Sequence, residues 1–395
     1  MWFFMPLNIV NYLKHIYYSF FKARGTPGRL SSKRLVVVLF VFLVYPLWVV
    51  YLQVGYWLDE LFFPAYHQQN LESPLFIVGN FRSGTTFLHR LLLQDERFTG
   101  IRTWEIYFAP SISYRRFFRF VGRFSRMIGS PIRKLIKRFD QSLNDYSYMH
   151  KTGMRQFEED SHLFYHLWSS YNLFALFPFP ELAWQYIYYD QQVPRDQRER
   201  EFDYFRNLLQ RHVYCYGGKT YISKNPDFSP MVETILETFP EARFINIVRD
   251  PRRVVPSTIN MWANHWHTFG SPRENYPLRD VLLEHIQHWY VYPHQKLRDL
   301  PPDRYAVIDF AEFVRDPHQV IERVYDQFQL PLSPAFEQVL IEQTIRSQNY
   351  QSSHDYSLEA MGIREESINQ DIRPLLDIYQ DGQKLPDRTP QTVQG

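Results

Sequence analysis

The sequence is poor in cysteine: Cys215 stands alone among 395 residues. That excludes an internal disulfide framework and any cysteine-rich zinc site. There is no N-x-S/T sequon, which together with the lone cysteine argues against a lumenal domain. No charge of one sign dominates either. Lys and Arg number 44 against 42 Asp and Glu, so the net charge is +2 and nothing global asks for nucleic acid as a partner. No internal repeat is present, and no low-complexity tract apart from a polar tail after Leu385. His162 and His166 sit one turn apart on an expected helix without a matching set of carboxylates or cysteines. Packing or hydrogen bonding explains them better than metal binding, and no metal site is expected.

Charge is missing altogether from Leu35 to Leu58, a run long enough to cross a hydrocarbon core. Trp48, Tyr51, Tyr56 and Trp57 suit a membrane interface, although Pro46 falls mid-run. The run is too long and too late for a signal peptide and has no small-residue cleavage site. A buried helical hairpin of the globular domain is the alternative. For a single span, Lys22, Arg24, Arg29, Lys33 and Arg34 before the run, with Asp59 and Glu60 after it, would keep the N-terminus inside and export the rest. Acid is also missing between Glu105 and Asp140. There Arg115, Arg116, Arg119, Arg123, Arg126, Arg133, Lys134, Lys137 and Arg138 interleave with Phe117, Phe118, Phe120 and Phe124. This reads as a basic amphipathic surface for an anionic leaflet, or as a solvated helical lid. The expectation is a protein embedded in or lying on the membrane, with its active domain in the cytoplasm.

What the chain does have is aromatic side chains, 18% of residues, and one informative loop, Gly79-Asn80-Phe81-Arg82-Ser83-Gly84-Thr85-Thr86. It follows Leu75-Phe76-Ile77-Val78, which reads as a buried parallel strand, and precedes the helical spacing of Phe87 to Leu93. Strand, glycine-bracketed loop and helix make a phosphate cradle of backbone N–H groups. The G-x-x-x-x-G spacing is that of a P-loop, yet Thr85 stands where a nucleotide triphosphatase needs lysine, and the fixed cation is Arg82. That argues against a P-loop kinase or nucleotide hydrolase. A second strand pattern, Ala242 to Val248, ends in Arg249-Asp250-Pro251, with Ser257 on the first turns of the next helix. An arginine at a strand end and a hydroxyl on the following helix suit a second phosphate.

Together, R-S-G-T-T and R-D-P-x-x-x-x-x-S resemble the two nucleotide sites of PAPS-dependent sulfotransferases, most closely the bacterial-type branch. The resemblance implies that Arg82, Ser83, Gly84, Thr85 and Thr86 hold the 5′-phosphosulfate of 3′-phosphoadenylyl sulfate (PAPS). It gives the 3′-phosphate to Arg249 and Ser257. Tyr221-Ile222-Ser223-Lys224-Asn225-Pro226 resembles the K-x-P segment, so Lys224 is expected at the bridging oxygen or sulfonate, with a carboxylate pairing as the alternative. Val307 to Pro317 resembles the Y-E-x-L-x-x-D-P segment, with Phe310 departing from the usual tyrosine. The likeness covers about residues 74–332, and His354 to Glu359 with Gly362 extend it less closely.

Sulfuryl transfer needs a deprotonated acceptor, in-line placement and neutralised charge on the leaving oxygens. For the base, Glu105 is the first choice, because several branches that resemble this chain place a catalytic glutamate there. A helix-capping or ion-pairing role is its alternative, and Glu158, Glu159, Asp160 and His162 remain candidates. The acceptor is expected to be a small-molecule or lipid hydroxyl, such as a lipid, glycolipid or other amphipathic alcohol, although a soluble phenol stays open. A catalytically inactive membrane-anchored nucleotide-binding protein is the rival reading.

The expected fold is α/β, a P-loop-type parallel sheet flanked by helices. Strands are expected at 75–78, 220–223, 243–248 and 304–308, with helices over Arg200 to Val213, Pro230 to Phe239, Val281 to Leu297 and His318 to Phe328. Residues 1–72 form the membrane-facing part, 73–375 the catalytic domain with a mostly helical insertion at 106–215, and 376–395 a loose tail. A chain beginning near Leu71 is expected to be more soluble and still to bind nucleotide, since the first strand begins only at Leu75.

Overall fold

The computed structural model describes residues 3–127, 153–348 and 361–363. Five parallel strands form one sheet in the order β2-β3-β1-β4-β5. They are β1 Leu75–Val78, β2 Phe98–Thr99, β3 Thr220–Lys224, β4 Arg243–Val248 and β5 Tyr305–Asp309. The central strand, β1, is buried on both faces, because period-two alternation sends Leu75 and Ile77 into one apolar cluster and Phe76 and Val78 into another. One face is closed by Leu88, Leu91 and Leu92 of helix α3 (Thr85–Leu92) and by the helix Pro317–Gln327. On the other, Phe76 meets the rings of Phe228, Phe239 and Phe244. Helices Arg195–Cys215, Pro251–Phe269 and Arg279–Leu297 complete that layer.

The N-terminal part is bound into this body. Helix α1 (Ile9–Tyr17) precedes α2 (Ser32–Phe62), whose 31 residues run through Pro46 without a break. By length and composition α2 is apolar enough to cross a membrane. One of its sides nevertheless packs on the domain: Val38, Leu52 and Tyr56 are fully buried, and the last two belong to the same core as Phe76. Buried charges fasten both ends. Arg34 donates to the carbonyl oxygens of Leu176 and, at 2.6 Å, Phe269. Asp59 accepts the N–H groups of Ile112 and Ser113 at 2.8 and 2.7 Å and pairs with Arg211 at 3.0 Å. The boundary near residue 72 is therefore one of composition. Cutting at Leu71 would strip Arg211 of Asp59 and Glu60, a cost that a more soluble, nucleotide-binding chain beginning there would have to absorb.

The insertion after α3 is mostly helical where described, although Phe157 forms an isolated antiparallel bridge with Arg102. It opens with α4 (Thr103–Tyr107) and α5 (Ile112–Met127) and continues through a 3-10 segment, Asp160–Leu167. Arg133, Lys134, Lys137 and Arg138 of the basic stretch, His354 to Glu359, and the tail 376–395 lie outside the described residues.

Candidate active site

Parallel strands put all their carboxyl ends on one edge, where the segments after Val78, Lys224, Val248 and Asp309 converge. The first of these segments is the glycine-bracketed loop. Gly79 has φ +137°, and a Cβ there would lie 2.4 Å from the carbonyl oxygen of Ile247. Gly84, at φ +97°, leads into α3, and a Cβ there would stand 2.3 Å from the Phe310 ring. Only glycine fits both the backbone and the space. Ser229 Oγ clamps Gly79 at 3.1 Å from both its nitrogen and its oxygen, and Ser83 Oγ donates to the Asn80 carbonyl at 2.6 Å. In the first turn of α3 the Phe87 N–H donates to the Gly84 carbonyl at 3.0 Å, whereas the N–H groups of Thr85 and Thr86, which lack a helical acceptor, are available to an anion.

The second motif folds onto the first. Arg249 Nη1 donates to the Arg82 carbonyl oxygen at 2.8 Å, and Arg82 Nε donates to Ser257 Oγ at 2.9 Å. The Arg249 guanidinium stands 4.5 Å from the centroid of Phe310, the ring that also covers Gly84. Burial, and then the neighbouring Arg82, hold the Arg249 pKa below its ordinary value. Two guanidiniums kept this close favour an anion between them. The two cradles read separately from the sequence form one cationic wall that shares Arg82.

Lys224 closes the opposite side. Its ammonium, 4% exposed, lies 3.3 Å from Thr86 Oγ1 and 2.7 Å from Glu159 Oε1. The lysine thus pairs with a carboxylate while facing the loop, though as a buried rather than a surface residue. Glu159 is 19% exposed. Next to it, Asp160 is buried and accepts from Tyr221 and Ser223 at 3.0 and 2.9 Å. Burial lifts the Asp160 carboxyl to about 7 and carries Asp227 well above the usual carboxylate range.

Glu105 has other partners. Its Oε2 accepts the Arg102 N–H at 2.9 Å, its Oε1 accepts the Tyr216 hydroxyl at 2.6 Å, and Arg115 stands 3.9 Å away. This is the capping and ion-pairing arrangement, in a fully buried carboxylate. His162 Nδ1 lies 3.1 Å from the Tyr107 hydroxyl, and His166 bonds to Tyr204 and the Ile106 carbonyl. Among the candidate bases, Glu159 is the one hydrogen-bonded to Lys224. Its distance in sequence from the loop hid this, and an acidic trio placed before a helical segment was the only hint. A polar cleft of about 280 Å³ lies at the amino ends of β1 and β3, lined by Asn70, Pro74, Thr220 and Tyr221 among others, and by neither the loop, Lys224 nor the candidate bases.

A glycine-bracketed loop without the P-loop lysine, joined to a second strand-end arginine and a facing lysine, defines a P-loop-type group-transfer protein. The chain belongs to the sulfotransferase family, whose sequence model matches residues 74–334. It is 31% identical over 274 residues to omega-hydroxy-beta-dihydromenaquinone-9 sulfotransferase Stf3 of Mycobacterium tuberculosis and of Mycobacterium bovis. The match takes in 66% of this chain and 63% of those relatives' length. Among solved structures, the fold is similar to sulfotransferase STF9 from Mycobacterium avium, with a TM-score of 0.64, 20% identity, and 80% of this chain and 79% of that one covered. It is also similar to sulfotransferase STF1 from Mycobacterium tuberculosis, with a TM-score of 0.64, 18% identity and 92% of each chain covered.

Proposed function

We propose that the protein moves a sulfuryl group from PAPS to a hydroxyl borne by a lipid or similarly amphipathic alcohol. The observation that carries this reading is Lys224, held between Thr86 of the loop and Glu159 of the insertion. In this reading Arg82 and the amides of Ser83, Gly84, Thr85 and Thr86 hold the 5′-phosphosulfate, while Arg249 and Ser257 take the 3′-phosphate. The acceptor hydroxyl gives its proton to the Glu159 carboxylate and its oxygen attacks sulfur. The bond from sulfur to the bridging oxygen breaks, and Lys224 with Arg82 neutralises the charge left on 3′-phosphoadenosine 5′-phosphate. Glu159 replaces Glu105 as the proposed base. Arg82, Lys224 and Arg249 supply the positive charge, and the reading uses no metal.

The Stf3 relative is named for a hydroxylated menaquinone derivative, which supports a lipid-type acceptor. So does the contact between α2 and the acidic segment: Trp48 Nε1 donates to the Tyr107 carbonyl at 2.9 Å, and the Tyr107 hydroxyl bonds His162. The apolar N-terminal helix and the arginines of α5 support association with a membrane surface. The cytosolic origin of the donor supports a domain on the cytoplasmic side.

Calorimetry against 3′-phosphoadenosine 5′-phosphate and against ATP with Mg²⁺ tests the donor, with binding expected for the first and little for the second. Lipid extracts from cells expressing the protein should contain a sulfated lipid that is absent with Arg82→Ala. Preference for ATP with Mg²⁺, or identical lipid profiles, would overturn the reading.

A further inference from the structure

Helix α2 has two apolar sides, and protein covers only one of them. The buried ties at Arg34 and Asp59 lie about 37 Å apart along its axis at 1.5 Å per residue. Between them the outer side carries Val36, Phe40, Leu43, Leu47, Val50 and Val54, a stripe of three- and four-residue steps. Leu43 and Leu47 are 70% and 71% exposed. The neighbouring helices lengthen the stripe. α1 joins α2 where the Tyr12 hydroxyl donates to the Phe42 carbonyl at 2.8 Å, and it exposes Ile9 and Leu13. α5 crosses beside Gly55, with Tyr114 stacked on Tyr51 at 4.4 Å, and it exposes Phe117, Phe120, Phe124 and Met127. A water-facing surface does not leave so continuous an apolar patch.

The charge around this patch has one sign. No Asp or Glu precedes Asp59 in the sequence, and α5 has none. Lys14, Lys22, Arg116, Arg119, Arg123 and Arg126 are exposed. Asp59 is buried, and Glu60, 11% exposed, is paired with Arg211.

We infer that α1, α2 and α5 dock this face into one anionic leaflet of a lipid bilayer, with α2 lying along the membrane rather than crossing it. Crossing would drag the domain into the hydrocarbon, since Arg211 is tied to Asp59 and the Tyr45 hydroxyl donates to the His166 carbonyl at 2.9 Å. Lying flat, the stripe enters the acyl boundary while lysines and arginines meet lipid phosphates. A second copy of the chain is a poor occupant, because two rims of like charge would face each other. The inference rests on the membrane association proposed above and adds how the chain sits there. It does not depend on the reaction.

The test uses the full-length protein with Cys215→Ser and single cysteines, Lys33→Cys in the first turn of α2 or Gln68→Cys beyond its end, both at exposed positions. Each is bound to sealed vesicles of phosphatidylcholine and phosphatidylglycerol and treated with a membrane-impermeant maleimide. Complete labelling of both without detergent is expected. Labelling of either that is completed only by detergent means a crossing helix and overturns in-plane docking, while leaving membrane association standing. In flotation, Phe40→Glu with Leu47→Glu should weaken vesicle binding at least about tenfold at an unchanged melting temperature. Unchanged flotation overturns the assigned face. Should melting fall too, Arg123→Glu with Arg126→Glu serves instead, with binding lost several-fold on phosphatidylglycerol vesicles and kept on phosphatidylcholine alone. Equal binding on both overturns the anionic docking. A parent protein that does not float, or that is a dimer with this face covered, overturns the inference and its membrane premise together.

Discussion

Replacing Asp59 by alanine tests whether α2 belongs to the catalytic fold. The carboxylate accepts from four donors: the N–H groups of Ile112 and Ser113, the Ser113 hydroxyl, and Arg211 Nε. Removing it leaves the Arg211 guanidinium, 0% exposed, with Glu60 as its one remaining carboxylate among the described contacts. Breaking a buried ion pair from one side costs about 3–5 kcal/mol, and each stranded buried N–H adds about 1–3 kcal/mol before relaxation. A total on the order of 5 kcal/mol is a large share of the roughly 5–15 kcal/mol that holds a protein folded. For a chain of this size that corresponds to a fall in Tm of roughly 10 °C, at about 2 °C per kcal/mol. The assay is a thermal melt in mild detergent, paired with binding of 3′-phosphoadenosine 5′-phosphate. Asp59→Ala combined with Arg211→Met should recover part of the loss, because the uncompensated charge is gone. A Tm within about 2 °C of the parent would refute the argument. It would also remove the objection to a soluble, nucleotide-binding chain that starts near Leu71.

Three further outcomes are expected. Glu159→Gln should lower kcat by about 10²–10⁴-fold with donor affinity near the parent's, whereas Glu105→Gln should chiefly lower Tm by loosening α4. Loss of turnover at an unchanged Tm in Glu105→Gln would return the base to that residue. Arg249→Ala and Ser257→Ala should each weaken binding of 3′-phosphoadenosine 5′-phosphate by roughly 1–3 kcal/mol, and far less for the nucleotide without its 3′-phosphate. Equal losses for both ligands remove the assignment. Asp160 titrates near 7 when folded against an ordinary 3.8, so its contribution is fully present below the lower value and is lost as pH rises through the upper one. Urea melts in parallel at about pH 5 and about pH 8 should show that loss, and Asp160→Asn should reduce it.

Much of the frame was legible because buried parallel strands are short uninterrupted apolar runs. Leu75 to Val78 and Arg243 to Val248 stand where the pattern put them. β2 escaped notice, since two residues, Phe98 and Thr99, carry no period. The loop glycines were readable for a local reason, the left-handed backbone at Gly79 and Gly84. Glu105 and Glu159 could not be ranked the same way. Which carboxylate meets Lys224 depends on how the insertion folds back, a long-range matter that neither propensity nor spacing encodes. The run Leu35 to Leu58 was legible as a helix but not in its packing, because a helix apolar all round does not reveal which side meets protein. Arg34 and Asp59 at its ends were the clue, for both are buried against the domain.

Those two residues also impose a schedule. Asp59 meets Arg211 across 152 positions of sequence, and Arg34 meets the Phe269 carbonyl across 235. At about 5–20 residues per second, a ribosome needs roughly 10–50 s to supply these partners after α2 has been made. For that interval a long apolar helix, complete in itself, has no domain to lean on. Whatever takes it first, a chaperone or the bilayer surface, must hold it loosely enough to give up its inner side later. An early commitment to threading α2 through a membrane would place Arg34 and Asp59 on opposite sides of it. The growing chain could then no longer reach both ends of the helix. On the in-plane docking inferred above, biogenesis and the finished fold would favour the same placement of α2.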